Sequence, residues 1–181
     1  MVKVLAIIGS ARKKNTFSLV EATIAPIKER KDVTIELIQL SNFDIKPCNG
    51  CDYCRDTGEC KIQDDMQRIY PKLKDANVLI IGSPTYFWNV SGLIKNFMDR
   101  CLPLYYKKAL DGKIGASIAV SEINGQNQTL SAISGFFQLM GIREVGSMSI
   151  ARGEDEVSEV ELEIARALGK KILSQLTKES R

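Results

Sequence analysis

The chain has 181 residues, 44% hydrophobic and 26% charged, with 25 basic residues against 22 acidic ones for a net charge of +3. One domain with a substantial core fits that length, while the scattered charge and the lack of any long apolar run argue against nucleic-acid or membrane partners. No histidine is present, which excludes Ser-His-Asp and Cys-His catalysis, histidine zinc sites and histidine-ligated haem.

Met1 leads straight into Val2–Ile8 (VKVLAII), a nearly continuous apolar run that suits a strand buried on both faces. No targeting peptide is expected ahead of that strand, and a cytoplasmic location is the expectation. The run ends at Gly9-Ser10-Ala11-Arg12-Lys13-Lys14-Asn15-Thr16, after which Phe17, Val20, Ile24 and Ile27 recur at helical spacing. A strand, a polar Gly/Ser loop and a helix N-terminus make an anion site suited to phosphate. An ordinary βα turn with a capped helix is the plainer alternative. Neither G-x-G-x-x-G nor G-x4-G-K-[ST] is present, so the dinucleotide fingerprint and the P-loop both fail.

Residues 33–40 (VTIELIQL) alternate and predict a second strand. A loop over 46–63 follows, carrying Cys48, Cys51, Cys54 and Cys60 at C-x2-C-x2-C-x5-C spacing. So short a segment buries no core of its own, and thiolates at this spacing can share a metal centre. Sets of four cysteines hold iron–sulfur clusters, and a bacterial ferredoxin run opens with the same C-x2-C-x2-C. Gly50 and Gly58 would let the backbone turn tightly. Three alternatives compete. Disulfides would have to form in a reducing cytosol; structural zinc usually takes two separated knuckles; the third alternative is a vestigial or redox-active thiol loop.

A helix is predicted over 64–74, with Asp64 and Asp65 at its start, where carboxylates suit the dipole and cap. Residues 77–82 (NVLIIG) predict a third strand, ending in Ser83-Pro84-Thr85-Tyr86-Phe87-Trp88-Asn89 at the ligand side of a parallel sheet. Three consecutive aromatics cannot all enter one core, so at least one should face a ligand or partner. The next helix carries Leu93, Ile94, Phe97, Met98 and Cys101, the last as a small buried hydrophobe. A fourth strand over 114–120 leads to the polar loop at Ser121, Asn124 and Gly125, then to a helix with Leu130, Ile133, Phe137 and Met140. An edge strand over 144–150 and a helix over 155–177, with Val160, Ile164, Leu168, Ile172 and Leu176 on one face, complete the chain.

Five strands alternating with helices predict an α/β doubly wound parallel sheet in the order 2-1-3-4-5, one domain over 1–181. Loops after the first, third and fourth strands meet at its ligand end. A phosphate hole, an aromatic wall and polar hydrogen-bonders together suit flavin mononucleotide (FMN).

The runs Gly9-Ser10-x-Arg12-x-x-Asn15-Thr16 and Ser83-Pro84-Thr85-Tyr86-x-x-x-Val90-Ser91-Gly92-x-x-Lys95-Asn96-Phe97-x-Asp99-Arg100 resemble the NADPH-dependent FMN reductase superfamily. The cysteine stretch with its trailing Cys60-x-x-x-Asp64-Asp65-Met66 resembles the iron–sulfur flavoprotein branch. The resemblance covers almost the whole chain. It implies a flavodoxin-like fold with one FMN and one [4Fe–4S] cluster, assembled as a homodimer or homotetramer with 95–100 at a subunit contact. It further implies that Cys48, Cys51, Cys54 and Cys60 hold the cluster and that Ser10, Arg12, Asn15 and Thr16 hold the FMN phosphate. Pro84, Thr85, Tyr86, Phe87 and Trp88 would line the flavin, and Ser121, Asn124 and Gly125 would close it. The expected activity passes electrons between a one-electron donor such as ferredoxin and a small acceptor. Two alternatives stand beside it: an NAD(P)H-dependent FMN or quinone reductase whose cysteine loop is empty or holds zinc, and a cluster-based sensor or scaffold.

Overall fold

Alternation along a single strand builds the two layers. The computed structural model describes residues 1–152 and 155–179. In β1 (Val2–Ile8), Val4, Ala6 and Ile8 enter one apolar cluster and Leu5 and Ile7 the other, as a strand with helices on both faces requires. The sheet runs β2 (Val33–Gln39), β1, β3 (Val78–Tyr86), β5 (Ile114–Ser121) and β6 (Arg143–Ala151), all parallel. Counted over these long strands, the order is the expected 2-1-3-4-5. A further two-residue strand, β4 (Asn89–Val90), pairs antiparallel with the end of β3.

One face carries α1 (Asn15–Lys28) and α7 (Glu159–Glu179), which bury Leu19, Val20, Ile24, Leu168 and Ile172 against it. The other carries α3 (Met66–Asp75), α4 (Gly92–Asp99) and α6 (Gln126–Leu139), with Met66, Ile69, Ile94, Phe97 and Phe137 in its core. Each such side chain contributes about 1.5–3 kcal/mol by leaving water. Among the described residues no helix is long and apolar enough to cross a membrane.

Several element boundaries differ from expectation, each for a local reason. The helix expected to reach Cys101 ends at Asp99, and α5 (Leu102–Tyr106) starts afresh with Pro103 in its first turn. A proline there lacks the N–H that would continue the ladder. Cys101 sits between the two helices and is buried, as expected. The last helix begins at 159 rather than 155 because Ser158 and Glu161 form a reciprocal capping box: the Ser158 N–H donates to Glu161 Oε2 (2.7 Å) and the Glu161 N–H to Ser158 Oγ (3.4 Å). Val160 and Ile164 are exposed, and Ala165 takes their place on the buried face. The cysteine loop contains a single helical turn, α2 (Tyr53–Thr57).

Gly169 of α7 lies against α1 so closely that a β-carbon would overlap the Thr23 carbonyl oxygen. Alanine there gains about 1 kcal/mol of helix propensity. The clash outweighs it, so Gly169→Ala should lower stability by a net of about 1–3 kcal/mol in urea unfolding.

Candidate functional site

Three strand ends supply one cleft. Beyond β1, β3 and β5, it is lined by Ser10, Arg12, Asn15, Thr16, Pro84, Thr85, Tyr86 and Ser121, joined by Lys14, Val120 and Glu122. Buried serines tie its loops together. Ser91 Oγ donates to the Gly9 carbonyl (2.8 Å), and the Ser91 N–H donates to Ser83 Oγ (3.0 Å). From the end of β2, Gln39 Nε2 donates to the Ser10 carbonyl (2.9 Å). Ser10 Oγ accepts from the Arg12 N–H (3.2 Å) and donates to the Arg12 carbonyl (2.9 Å), which folds the loop on itself. Asn15 Nδ2 donates to the Asp155 carbonyl (2.7 Å) and fastens the loop to the lead-in of α7.

The N-terminus of α1 meets this cleft with no side-chain cap and no acidic residue in its first turn. Its amides are left for an anion, with Arg12 and Lys14 beside them. That is the chemistry a flavin phosphate needs.

The aromatic segment is a hairpin tip. Thr85 pairs with Val90 and Tyr86 with Asn89, leaving Phe87 and Trp88 as a two-residue turn at φ 47° and 61°. Positive φ at both positions matches the twist of a tight hairpin, where Asn-Gly is the usual choice. Bulky residues there cost on the order of 1–3 kcal/mol each, and such strain gathers at functional sites. Phe87 is fully exposed, and Tyr86 and Trp88 are about half so. Gly125, itself at φ 87°, supports the tip: a β-carbon on it would lie 3.1 Å from the Trp88 Cα and ring. The Thr85 and Thr129 hydroxyls bond at 2.9 Å and join the hairpin base to α6. Pro84, Thr85 and Tyr86 thus line the cleft, while Phe87 and Trp88 stand above it. Asn124 is exposed and is not part of the cleft wall.

Cys48, Cys51, Cys54 and Cys60 line a second hollow, shared with Arg100, Leu102 and Pro103. All four thiols are free. The loop curls round them through Gly50, Asp52 and Gly58, at φ 64°, 57° and 72°. Burial pushes the Cys54 thiol up, and the thiolates of Cys60, Cys48 and Cys51 push it the same way. Deprotonated together, four such sulfurs would repel one another, and a bound cationic centre would relieve that repulsion. Among the described residues, no three His, Cys, Asp or Glu side chains are grouped so as to hold one metal ion.

A buried ion pair stands behind this hollow. Arg100 Nη1 and Nη2 fork onto Asp64 at 2.5 and 3.0 Å, with side-chain exposures of 0% and 1%. Nη1 also donates to the Lys46 carbonyl (2.7 Å), and Asp64 accepts from the N–H groups of Lys46 (2.9 Å) and Met66 (3.0 Å). Both ends of the cysteine loop are therefore pinned at one point. Burial works against the Asp64 charge, but the Arg100 fork and the two amides prevail and hold its carboxyl below the usual range. Sequence reasoning gave Asp64 a capping role and placed Arg100 at a subunit contact. Asp64 does accept from Met66, and the Arg100 side chain is buried against Asp64 at 1% exposure. Of that segment, Lys95 and Asp99 form the surface pair, at 2.6 Å.

Residues 2–156 match the family of NADPH-dependent FMN reductases. The chain belongs to that family. It is 36% identical over 184 residues to an iron–sulfur flavoprotein of Methanocaldococcus jannaschii, covering 94% of this chain and 95% of that one. It is 35% identical over 151 residues to an iron–sulfur flavoprotein of Methanosarcina thermophila, covering 81% and 78%. A flavodoxin from the domain Archaea superposes with a TM-score of 0.66 at 20% identity, over 97% of this chain and 99% of that one. The fold of this FMN reductase family member is flavodoxin-like. Family and relatives together support an FMN-linked oxidoreductase.

Two changes test this geometry. Asp64→Ala leaves Arg100 buried without its counter-ion and should cost about 3–5 kcal/mol in denaturant unfolding at neutral pH. The folded pKa of Asp64 is depressed, so its contribution is complete above the ordinary carboxylate value near pH 4 and fades as pH falls through the folded value; the gap to wild type should narrow in acid. Phe87→Gly releases strain at the hairpin tip and should raise stability by about 1 kcal/mol, while weakening FMN binding in a fluorescence titration.

Proposed function

We propose that this chain is an iron–sulfur flavoprotein that passes electrons between a one-electron donor such as ferredoxin and a small acceptor. The observation that carries it is four free thiols around one hollow, in a fold whose strand ends separately form a phosphate-ready cleft. FMN in the cleft would supply paired-electron chemistry, and a [4Fe–4S] cluster in the hollow single-electron chemistry.

The chain's own residues have definite tasks in this reading. The α1 amides with Ser10, Arg12, Asn15 and Thr16 bind phosphate. Pro84, Thr85 and Tyr86 form the wall for the ring, with Phe87 and Trp88 as its exposed overhang and Ser121 opposite. Asn124 contributes from the rim, and Gly125 acts by holding the overhang in place. Cys48, Cys51, Cys54 and Cys60 are the metal ligands. The relatives' names support the cluster, and C-x2-C-x2-C spacing suits a polynuclear centre better than the two separated knuckles of a structural zinc ion. Assembly as a homodimer or homotetramer and a cytoplasmic setting belong to the same proposal.

The family's description favours a second reading, an NAD(P)H-dependent FMN or quinone reductase with the cysteine loop empty or zinc-bound. Anaerobic purification with iron, sulfide and flavin assays separates the two. The first reading expects iron, sulfide and FMN together, with Cys60→Ser losing iron and the broad visible absorbance but keeping FMN. It also expects faster flavin bleaching by reduced ferredoxin than by NADPH in anaerobic stopped flow. A protein that holds only FMN and is bleached rapidly by NADPH establishes the second.

A further inference from the structure

Among the described residues, one buried side-chain nitrogen or oxygen lacks a hydrogen-bond partner: Arg100 Nε. Both other guanidinium nitrogens are engaged. Nη1 donates to the Lys46 carbonyl and to Asp64, and Nη2 donates to Asp64. These bonds fix the plane of the group, and the side chain has no water of its own to turn to at 0% exposure. A buried N–H left unmade costs about 1–3 kcal/mol, and more on a charged group. Arg100 also lines the cysteine hollow. A lysine could serve the pair with Asp64 as a point charge; a planar fork with one edge spare is what arginine adds.

We propose that Arg100 is a positioning residue for the four-cysteine site, its Nε–H donating to a sulfur of the cluster or of a cysteine ligand. This rests on the cluster reading given above. Cys60 lines the same hollow as Arg100, and behind them the Tyr70 hydroxyl donates to the Arg100 carbonyl (2.7 Å) and fixes where the arginine backbone sits. A cationic N–H bonded to sulfur stabilises the more negative, reduced cluster over the oxidised one, because hydrogen bonds and local charge set cluster potentials. Arg100 therefore has two tasks. Its terminal nitrogens close the loop onto Asp64, and its inner nitrogen adjusts what the loop holds.

The test uses anaerobically prepared wild type, labelled with arginine carrying 15N at Nε alone so that the Arg55 backbone amide beside Cys54 stays silent, beside Arg100→Lys, which keeps the charge but lacks Nε–H. Iron and sulfide are assayed first, then the reduced cluster is examined by electron spin-echo and redox titration. The wild type is expected to show 15N modulation and coupling to an exchangeable proton. Arg100→Lys should lose both, and its reduction equilibrium should fall about tenfold, about 59 mV for a one-electron couple. A merely structural arginine would alter unfolding but neither signal. A wild type with full iron and sulfide but no 15N modulation overturns the role of Arg100 alone. A wild type without iron and sulfide overturns the cluster reading and this inference with it. The spin echo on Nε-labelled Arg55→Lys, which removes the arginine within the cysteine loop itself, decides the matter even where Arg100→Lys fails to fold: modulation that persists there belongs to Arg100, and modulation that vanishes overturns its role.

Discussion

A carboxylate and a guanidinium with almost no contact with water hold this structure's least self-sufficient segment in place. The loop over 46–63 has no apolar core to order it, and its four thiols repel when ionised. What it has is a closed neck. Lys46 at the entry both donates to Asp64 and accepts from Arg100, and Asp64 is the first residue past the exit. Neighbouring bonds repeat the theme: Asn96 Nδ2 donates to the Ile45 carbonyl (2.6 Å), and Gln67 Nε2 to the Cys60 carbonyl (2.9 Å). Burying two charges is costly, and the complete set of partners round Asp64 is what offsets it. The incomplete set on Arg100 is then the conspicuous exception.

The cleft follows a different logic. Strand ends in an open parallel sheet splay at the switch point, so loops after β1, β3 and β5 meet without any special sequence. Specific residues then decide what the meeting place accepts. An uncapped helix N-terminus flanked by basic residues accepts an anion; a strained aromatic hairpin above it offers a flat apolar surface. The strain at Phe87 and Trp88 is tolerated because both flanks are fixed, by the β3–β4 pairing on one side and Gly125 on the other.

Much of this was legible in the chain itself. Apolar runs such as 2–8 and 77–82 declare fully buried strands, and their alternation with helical spacing gives the strand order. The cleft-lining loop after β1, the wall at 84–86 and the hollow of four cysteines were also readable, because each depends on residues close together in sequence. The misses have the opposite character. Asp64 and Arg100 are 36 positions apart, and nothing local distinguishes a buried arginine from a surface one. β4 is too short to leave a pattern of alternation. Likewise, 86–88 read as three aromatics, whereas the left-handed backbone that lifts two of them off the wall appears only once Gly125 is packed beneath. The capping box at Ser158 and Glu161 was visible in principle, being a spacing of three, and it outweighed the acidic residues upstream.

Helix α4 joins these two places. It starts at Ser91, whose hydroxyl bonds the loop after β1, and it stops at Arg100, whose guanidinium closes the cysteine loop. Its eight residues rise about 12 Å at 1.5 Å each, so the helix acts as a ruler laid from the strand-end cleft to the thiol hollow. An inserted residue would do more than lengthen it, because about 100° of rotation comes with each step and would swing Arg100 off Asp64. The separation of cleft and hollow and the closure of the loop are thereby written into a single length of backbone, and neither can drift without the other.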